Sequence, residues 1–253
     1  MRAHFVALYL AAAGCSAAAT AVSDTSTTTG GATSGGTVSA AAPAMYKAFG
    51  NGTTVAVDGN FVVVTSNGLP DHKSPYFGAG NAKYEAYNGT NPNFRINPNV
   101  ISTQHFTFRI PLTPAALSTP SPTPLGPIGV AVNGVPIFNQ YAANNQPLTG
   151  EIDSFDQYSG HPQQSGVYHY HVEPTWITRA SRSAFIGVLL DGYPVYGPIE
   201  NGALVTTAML DAAHGHFGVT AEFPQGVYHY HTTSDAPYIN GSGFHGSPGT
   251  VSQ

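Results

Sequence analysis

Charge is scarce in this chain: 8% of its 253 residues are Asp, Glu, Lys or Arg, with Lys+Arg 8 against Asp+Glu 13. With so few cations and no basic stripe, nothing is available to neutralise a run of phosphates, which excludes a nucleic-acid partner. Cysteine occurs once, as Cys15, so no internal disulfide can form. Trp176 is the single tryptophan, which leaves little for a sugar-stacking platform. No apolar run approaches the roughly twenty residues of a membrane-spanning helix. Amphipathic helices are missing too, because 20 Pro and 29 Gly interrupt the helical period apart from a short candidate over residues 206–213.

The first residues carry one cation, Arg2, then an apolar run of nine from Phe5 to Ala13, then Gly14-Cys15. A run this short is an export signal rather than a span. Ala12-Ala13-Gly14-Cys15 resembles a bacterial lipobox, where the cysteine is acylated and the chain cut before it; a leucine is commoner where Ala12 stands. The expectation is a lipoprotein signal peptide over 1–15 with Cys15 as the lipid attachment point. The alternative is ordinary cleavage after Ala17 or Ala19. Either way the protein is exported, and the anchored form belongs to the cell envelope, on a periplasmic or surface face. Residues 16–44 are Ser, Thr, Ala and Gly with almost no large apolar side chain, so they read as a flexible tether. Residues 45–253 remain, a length suited to one all-β domain.

Residues 55–65 read as two β-branched runs about a Gly turn, and 104–110 alternate as a strand. In IGVAVNGVPIF, at 128–138, Asn133-Gly134 separates two apolar runs and predicts a type I′ hairpin, its second strand at a sheet edge because of Pro136. The fold class is therefore all-β, a sandwich or barrel-like domain of short strands and long loops.

The chain also repeats itself. IGVAVNGVPIF returns as IGVLLDGYPVY at 186–196, and GVYHYH at 166–171 returns at 226–231. Between these marks each copy carries an Asp and a Gly-His: Asp153 with Gly160-His161, and Asp211 with Gly215-His216. Three marks in one order, offset by 55 to 60 residues, imply two copies of one unit, about 128–171 and 186–231, related by a local two-fold axis.

Of 11 histidines, eight fall between His161 and His245. On a strand, His169 and His171 share one face and Tyr168 and Tyr170 the other; His229 and His231, with Tyr228 and Tyr230, repeat the pattern. A nearby loop adds His161 or His216, giving three imidazoles per copy. Three neutral imidazoles suit zinc or copper(II), and without usable thiolate a soft copper(I) or iron–sulfur site is disfavoured. Asp153 and Asp211 are candidates for further ligands or, with the four tyrosines, for groups that orient the ligands. Whether the copies share one ion or hold two is open. Against the metal stands the plainer reading of hydrogen-bonded structural histidines. His72 and His245 read as loop residues, Asp191 as a turn residue, and Glu151, Asp153 and Asp156 as an acidic loop without a calcium signature.

On these residues the chain resembles the YHYH-domain family: SNGLPDH at 66–72, NPNVIS at 97–102, NGVPIFN, LDGYPVYGP at 190–198, and YHYH twice. The resemblance implies a secreted or surface protein without naming a reaction. It also implies a cysteine pair in many relatives, for which residues 212–214 and 241–245 here offer none. The leading functional expectation is a surface-anchored lipoprotein binding zinc or copper(II). The alternatives are a metal-dependent hydrolase at the same site, and a carbohydrate- or protein-binding β module with structural histidines.

Overall fold

The computed structural model describes residues 36–241 and 243–253. The export segment, Cys15 and most of the expected tether lie outside the described residues. The end of that tether lies in the domain, since Thr37–Val38 pairs in parallel with Thr53–Asp58.

Alternation builds the smaller of the two main sheets. In Phe61–Ser66 the inward residues are Val62, Val64 and Ser66, and in Phe106–Pro111 they are Phe106, Phe108 and Ile110. These strands lie between Thr53–Asp58 and Thr250–Ser252, and Thr37–Val38 completes a five-stranded sheet. Its apolar face joins one core with Ile128, Val130, Ile137, Ile186, Val188 and Val195 of the larger sheet. Among the described residues helix is confined to single turns; residues 206–213 hold only the 3-10 turn Thr207–Met209. Among the described residues no helix is long and apolar enough to cross a membrane. The fold is all-β, without a closed barrel.

The larger sheet has eight strands: β1 (Pro127–Ala131), β2 (Pro136–Phe138), β3 (Gly160–Pro162), β4 (Tyr168–Tyr170), β5 (Phe185–Leu189), β6 (Pro194–Tyr196), β7 (Gly215–Gly218) and β8 (Val227–His231). Their order in space is β3-β4-β2-β1-β5-β6-β8-β7. Read from either end, the order runs through equivalent strands of the two copies. At the centre Val130 of β1 pairs with Val188 of β5, residues that are each other's counterparts 58 positions apart. Residues paired across antiparallel strands point to one side, so the local two-fold axis passes through the sheet here and places both copies' histidines on the same face.

Two expectations change. The Asn133-Gly134 turn is not type I′, which needs positive φ at both central residues; only Gly134 (φ 82) and its counterpart Gly192 (φ 88) have it. Gly134 N–H instead bonds the Ala131 carbonyl and Ala131 N–H the Val135 carbonyl. This longer loop leaves Asn133 in ordinary backbone geometry, with its side-chain amide donating to Asp71 and to the Tyr170 hydroxyl. Second, β2 lies inside the sheet, between β1 and β4, rather than at an edge. Pro136 is tolerated because it is the first residue of its strand, and β4 pairs with β2 only at Ile137.

Candidate metal centre

Each histidine cluster is made by one antiparallel strand pair at an end of the sheet. His161 stands directly opposite His169 in the β3–β4 register, and His216 opposite His229 in β7–β8. Paired residues share a face, and so do residues two apart on one strand. His161, His169 and His171 therefore converge, as do His216, His229 and His231. His161 and His216 come from short strands rather than from loops.

In the first cluster the Nε2 atoms of His161 and His169 are 3.1 Å apart and those of His169 and His171 are 3.0 Å apart. In the second, His216 Nε2 lies 3.1 Å from that of His229 and 3.2 Å from that of His231. The other ring nitrogens decide what these contacts are. His169 Nδ1 donates to the Val167 carbonyl, His171 Nδ1 to that of Asn139, His229 Nδ1 to that of Val227 and His231 Nδ1 to that of Gly197. A carbonyl only accepts, so each Nδ1 carries the hydrogen and each Nε2 is left with a lone pair. His161 reaches the same state through Ser154, whose hydroxyl donates to the Glu151 carbonyl and so accepts from His161 Nδ1. Neutral rings held this way point acceptor at acceptor, an arrangement that a cation relieves.

Burial keeps His161, His169, His171, His229 and His231 neutral. It pushes His161 down to about 3 and His171 to about 4, the first helped by the neighbouring His171, and holds His169 well below its ordinary value. Burial likewise lowers His229, and His231 to about 4.

The second cluster has a fourth member absent from the sequence reading. Glu200 sets Oε1 3.3 Å from His229 Nε2 and Oε2 3.3 Å from His216 Nε2. It sits on the two-residue strand Ile199–Glu200, whose counterpart in the first copy is Tyr141–Ala142, so Ala142 stands where Glu200 does. No local motif announces Glu200; only the repeat alignment would have flagged a position where an acid replaces an alanine.

The first cluster forms the wall of a cavity of about 790 Å³, together with Asn97, Asn99, Phe138, Tyr141, Ala142 and Glu151. The second borders a cavity of about 360 Å³ that also holds Glu200, Glu222 and Tyr196. Among the described residues, two groups could hold a metal ion: His161, His169 and His171, and Glu200, His216, His229 and His231.

The orienting groups differ from those expected. Asp153 accepts from Asn91 and forms no bond to a clustered histidine. Its expected role as counterpart of Asp211 belongs to Asp156, since each of these lies four residues before its Gly-His glycine and bonds that glycine's carbonyl. Neither acid orients a ring. Asp156 accepts from the Tyr168 hydroxyl at 2.9 Å and Asp211 from that of Tyr228 at 2.8 Å, on the tyrosine face. Tyr170 and Tyr230 also point away from the histidines. Tyr230 donates to Asp191, and Tyr170 donates to His72 Nε2, whose Nδ1 is committed to the Lys73 carbonyl. The four tyrosines thus fix the sheet's other face, His72 is buried, and Asp191 is a buried anchor rather than a plain turn residue. The three acids of the 151–156 loop go separate ways.

A family model described as YHYH protein matches residues 107–205 and 199–244, more than half of the chain and both clusters.

The chain belongs to the YHYH family.

The tetrapeptide that characterises YHYH proteins is here the β4 and β8 segment, its histidines facing a cluster and its tyrosines bonded to acids or an amide on the other face. No curated protein and no solved structure shows significant similarity to the chain.

Proposed function

We propose that this YHYH protein is an envelope lipoprotein that binds a transition metal, zinc or copper(II), at two centres per chain. One observation carries the reading: in the first copy three imidazole Nε2 lone pairs meet at 3.0 and 3.1 Å with every Nδ1 hydrogen committed elsewhere, and in the second His216 Nε2 lies 3.1 and 3.2 Å from the lone pairs of His229 and His231. With nitrogen–metal distances of about 2.1 Å, such separations subtend roughly 90–100° at an ion, within the range between octahedral and tetrahedral ligation. A proton could relieve only one close pair at a time, and burial opposes it; a divalent ion satisfies all three nitrogens at once. Imidazole donors with at most one carboxylate suit zinc, copper(II), iron or nickel better than calcium or magnesium.

Two separate ions are favoured over one shared ion. The clusters lie on β3–β4 and β7–β8 with four strands between them, which at about 4.8 Å per strand spacing puts them roughly 25–30 Å apart. Elemental analysis of the purified, tag-free chain after loading with zinc or copper(II) and dialysis should give two ions per chain. His169→Ala and His229→Ala should each remove one. A metal-free wild type under these conditions would end the reading.

The envelope location rests on the export signal and the lipobox-like Ala12-Ala13-Gly14-Cys15. Cys15→Ala should move the protein from the membrane fraction to the soluble fraction; a wild type found soluble throughout would remove the anchor. A second reading, a metal-dependent hydrolase at the first centre, is favoured by the cavity of about 790 Å³ against it. A zinc-loaded chain inert toward a panel of activated esters and amides would set it aside.

A further inference from the structure

Duplication made the two centres alike in their histidines, and Glu200 makes them chemically different. At the second centre the carboxylate spans two Nε2 atoms at 3.3 Å each, where an ion's fourth ligand belongs. At the first centre the corresponding residue is Ala142, whose methyl group donates nothing, and the space in front of the three rings is the larger cavity. Only Glu151 among that cavity's lining residues carries charge. The second cavity is under half that volume and carries two acids, Glu200 and Glu222, the latter accepting from the Tyr196 hydroxyl at 2.6 Å.

We propose that the first centre is an open site whose metal takes an exogenous small oxygen-donor or anionic ligand from the cavity, and that the second centre is closed by Glu200. The proposal rests on the metal-binding reading above and deepens it. Charge and space act in the same direction. Three neutral imidazoles leave a divalent ion's double charge uncompensated at the first centre, which draws in an anion or a carbonyl oxygen. At the second centre Glu200 cancels half of that charge, fills a coordination position and, with Glu222, repels an incoming anion. The class of ligand follows: a carboxylate or carbonyl compound small enough for the cavity, held by one oxygen on the metal.

The test uses the full chain loaded with copper(II) and titrated with azide, a small anion whose charge-transfer band on copper reports binding directly. Wild type should hold two copper ions and saturate at one azide per chain. Glu200→Ala should keep two ions and double the azide stoichiometry, and Glu200→Gln should do so at least in part, since the amide is neutral. Ala142→Glu should abolish azide binding while both ions stay. His169→Ala should leave one ion and no azide, which fixes the open position on the first centre without depending on the engineered glutamate. Two ions with azide at both centres or neither in wild type would overturn the proposal while leaving the metal reading intact. A chain without copper would overturn the reading beneath it.

Discussion

Tyr230 delivers its hydroxyl hydrogen to Asp191 at 2.5 Å where neither residue reaches water. Burial pushes the Asp191 carboxyl up to about 6, although the Tyr230 hydroxyl and the Gly246 and Tyr193 N–H groups favour its charged form. A carboxyl raised on folding from 3.8 contributes stability that is complete below the unfolded value and is lost as pH rises through about 6. Tyr230→Phe removes a donor from a buried charge, which costs about 1–3 kcal/mol, and more when Asp191 is ionised than when it is protonated. Urea unfolding should therefore show a larger loss for this variant at pH 8 than at pH 4.5. Equal losses at the two pH values would mean that the carboxylate does not depend on the tyrosine. In the first copy the counterpart of Asp191 is Asn133, which cannot titrate, so the same device is charged in one copy and neutral in the other.

At the scale of the strand pair, the glycines before His161 and His216 make room for the opposite face. A Cβ on Gly215 would lie 2.5 Å from the Tyr228 hydroxyl, and one on Gly160 would collide with the Tyr168 ring. The bare glycine lets that ring lie across β3 to reach Asp156. Gly160→Ala should cost about 1–3 kcal/mol through overpacking, whereas Gly150→Ala, where an added Cβ meets nothing within 4 Å, should stay within about 0.5 kcal/mol. Chemical denaturation of the two variants checks this; equal stability would show that the tyrosine ring can move aside at no cost. These strands also mark how far the sequence could be read. The two-residue alternation of Tyr-His-Tyr-His is long enough to assign faces, and the repeat identified the third histidine of each copy. Gly160–Pro162 is too short and too rich in Gly and Pro to show a strand period, so His161 read as a loop residue. Asp153 matches Asp211 at the hairpin offset of 58 and Asp156 matches it at the Gly-His offset of 55, so the sequence offers both and the backbone bonds to Gly160 and Gly215 decide for Asp156. Glu200 owes its place to a connection folding back across the sheet, which no local spacing encodes. Ala213 and Gly241, from the two segments where the resemblance implies a cysteine pair in relatives, do lie together, Gly241 N–H bonding the Ala213 carbonyl at 3.0 Å.

For the whole molecule, the palindromic order of the eight strands puts the clusters near the two ends of one sheet and the Val130–Val188 pair on the axis between them. The histidines also outweigh the carboxyls in the protein's response to pH. Burial lowers His161 to about 3 and His171, His214 and His231 to about 4, and lowers His72, His169 and His229 as well. Among acids, burial raises Asp191 to about 6 and shifts Asp156 and Glu151 in the same direction. A histidine depressed on folding gives stability that is complete above its unfolded value of 6.5 and is lost as pH falls toward the folded value. Each one fully within that window contributes a slope of about 1.4 kcal/mol per pH unit, opposite in sign to that of a raised carboxyl. With these seven histidines, and His245 lowered by burial as well, against three acids, the histidines win. Chelator-stripped protein should therefore lose thermal stability steadily from pH 6.5 down to about pH 4.5 and change little between pH 7 and 8. A stoichiometric metal ion binds only the deprotonated rings, so adding zinc should raise Tm by several degrees at pH 7 and by progressively less below pH 5. Calorimetry of stripped and reloaded protein across this range tests both slopes. A stripped protein that is most stable at pH 4.5 would show that the clustered rings are charged in the folded state, and the facing lone pairs on which the metal reading stands would not exist.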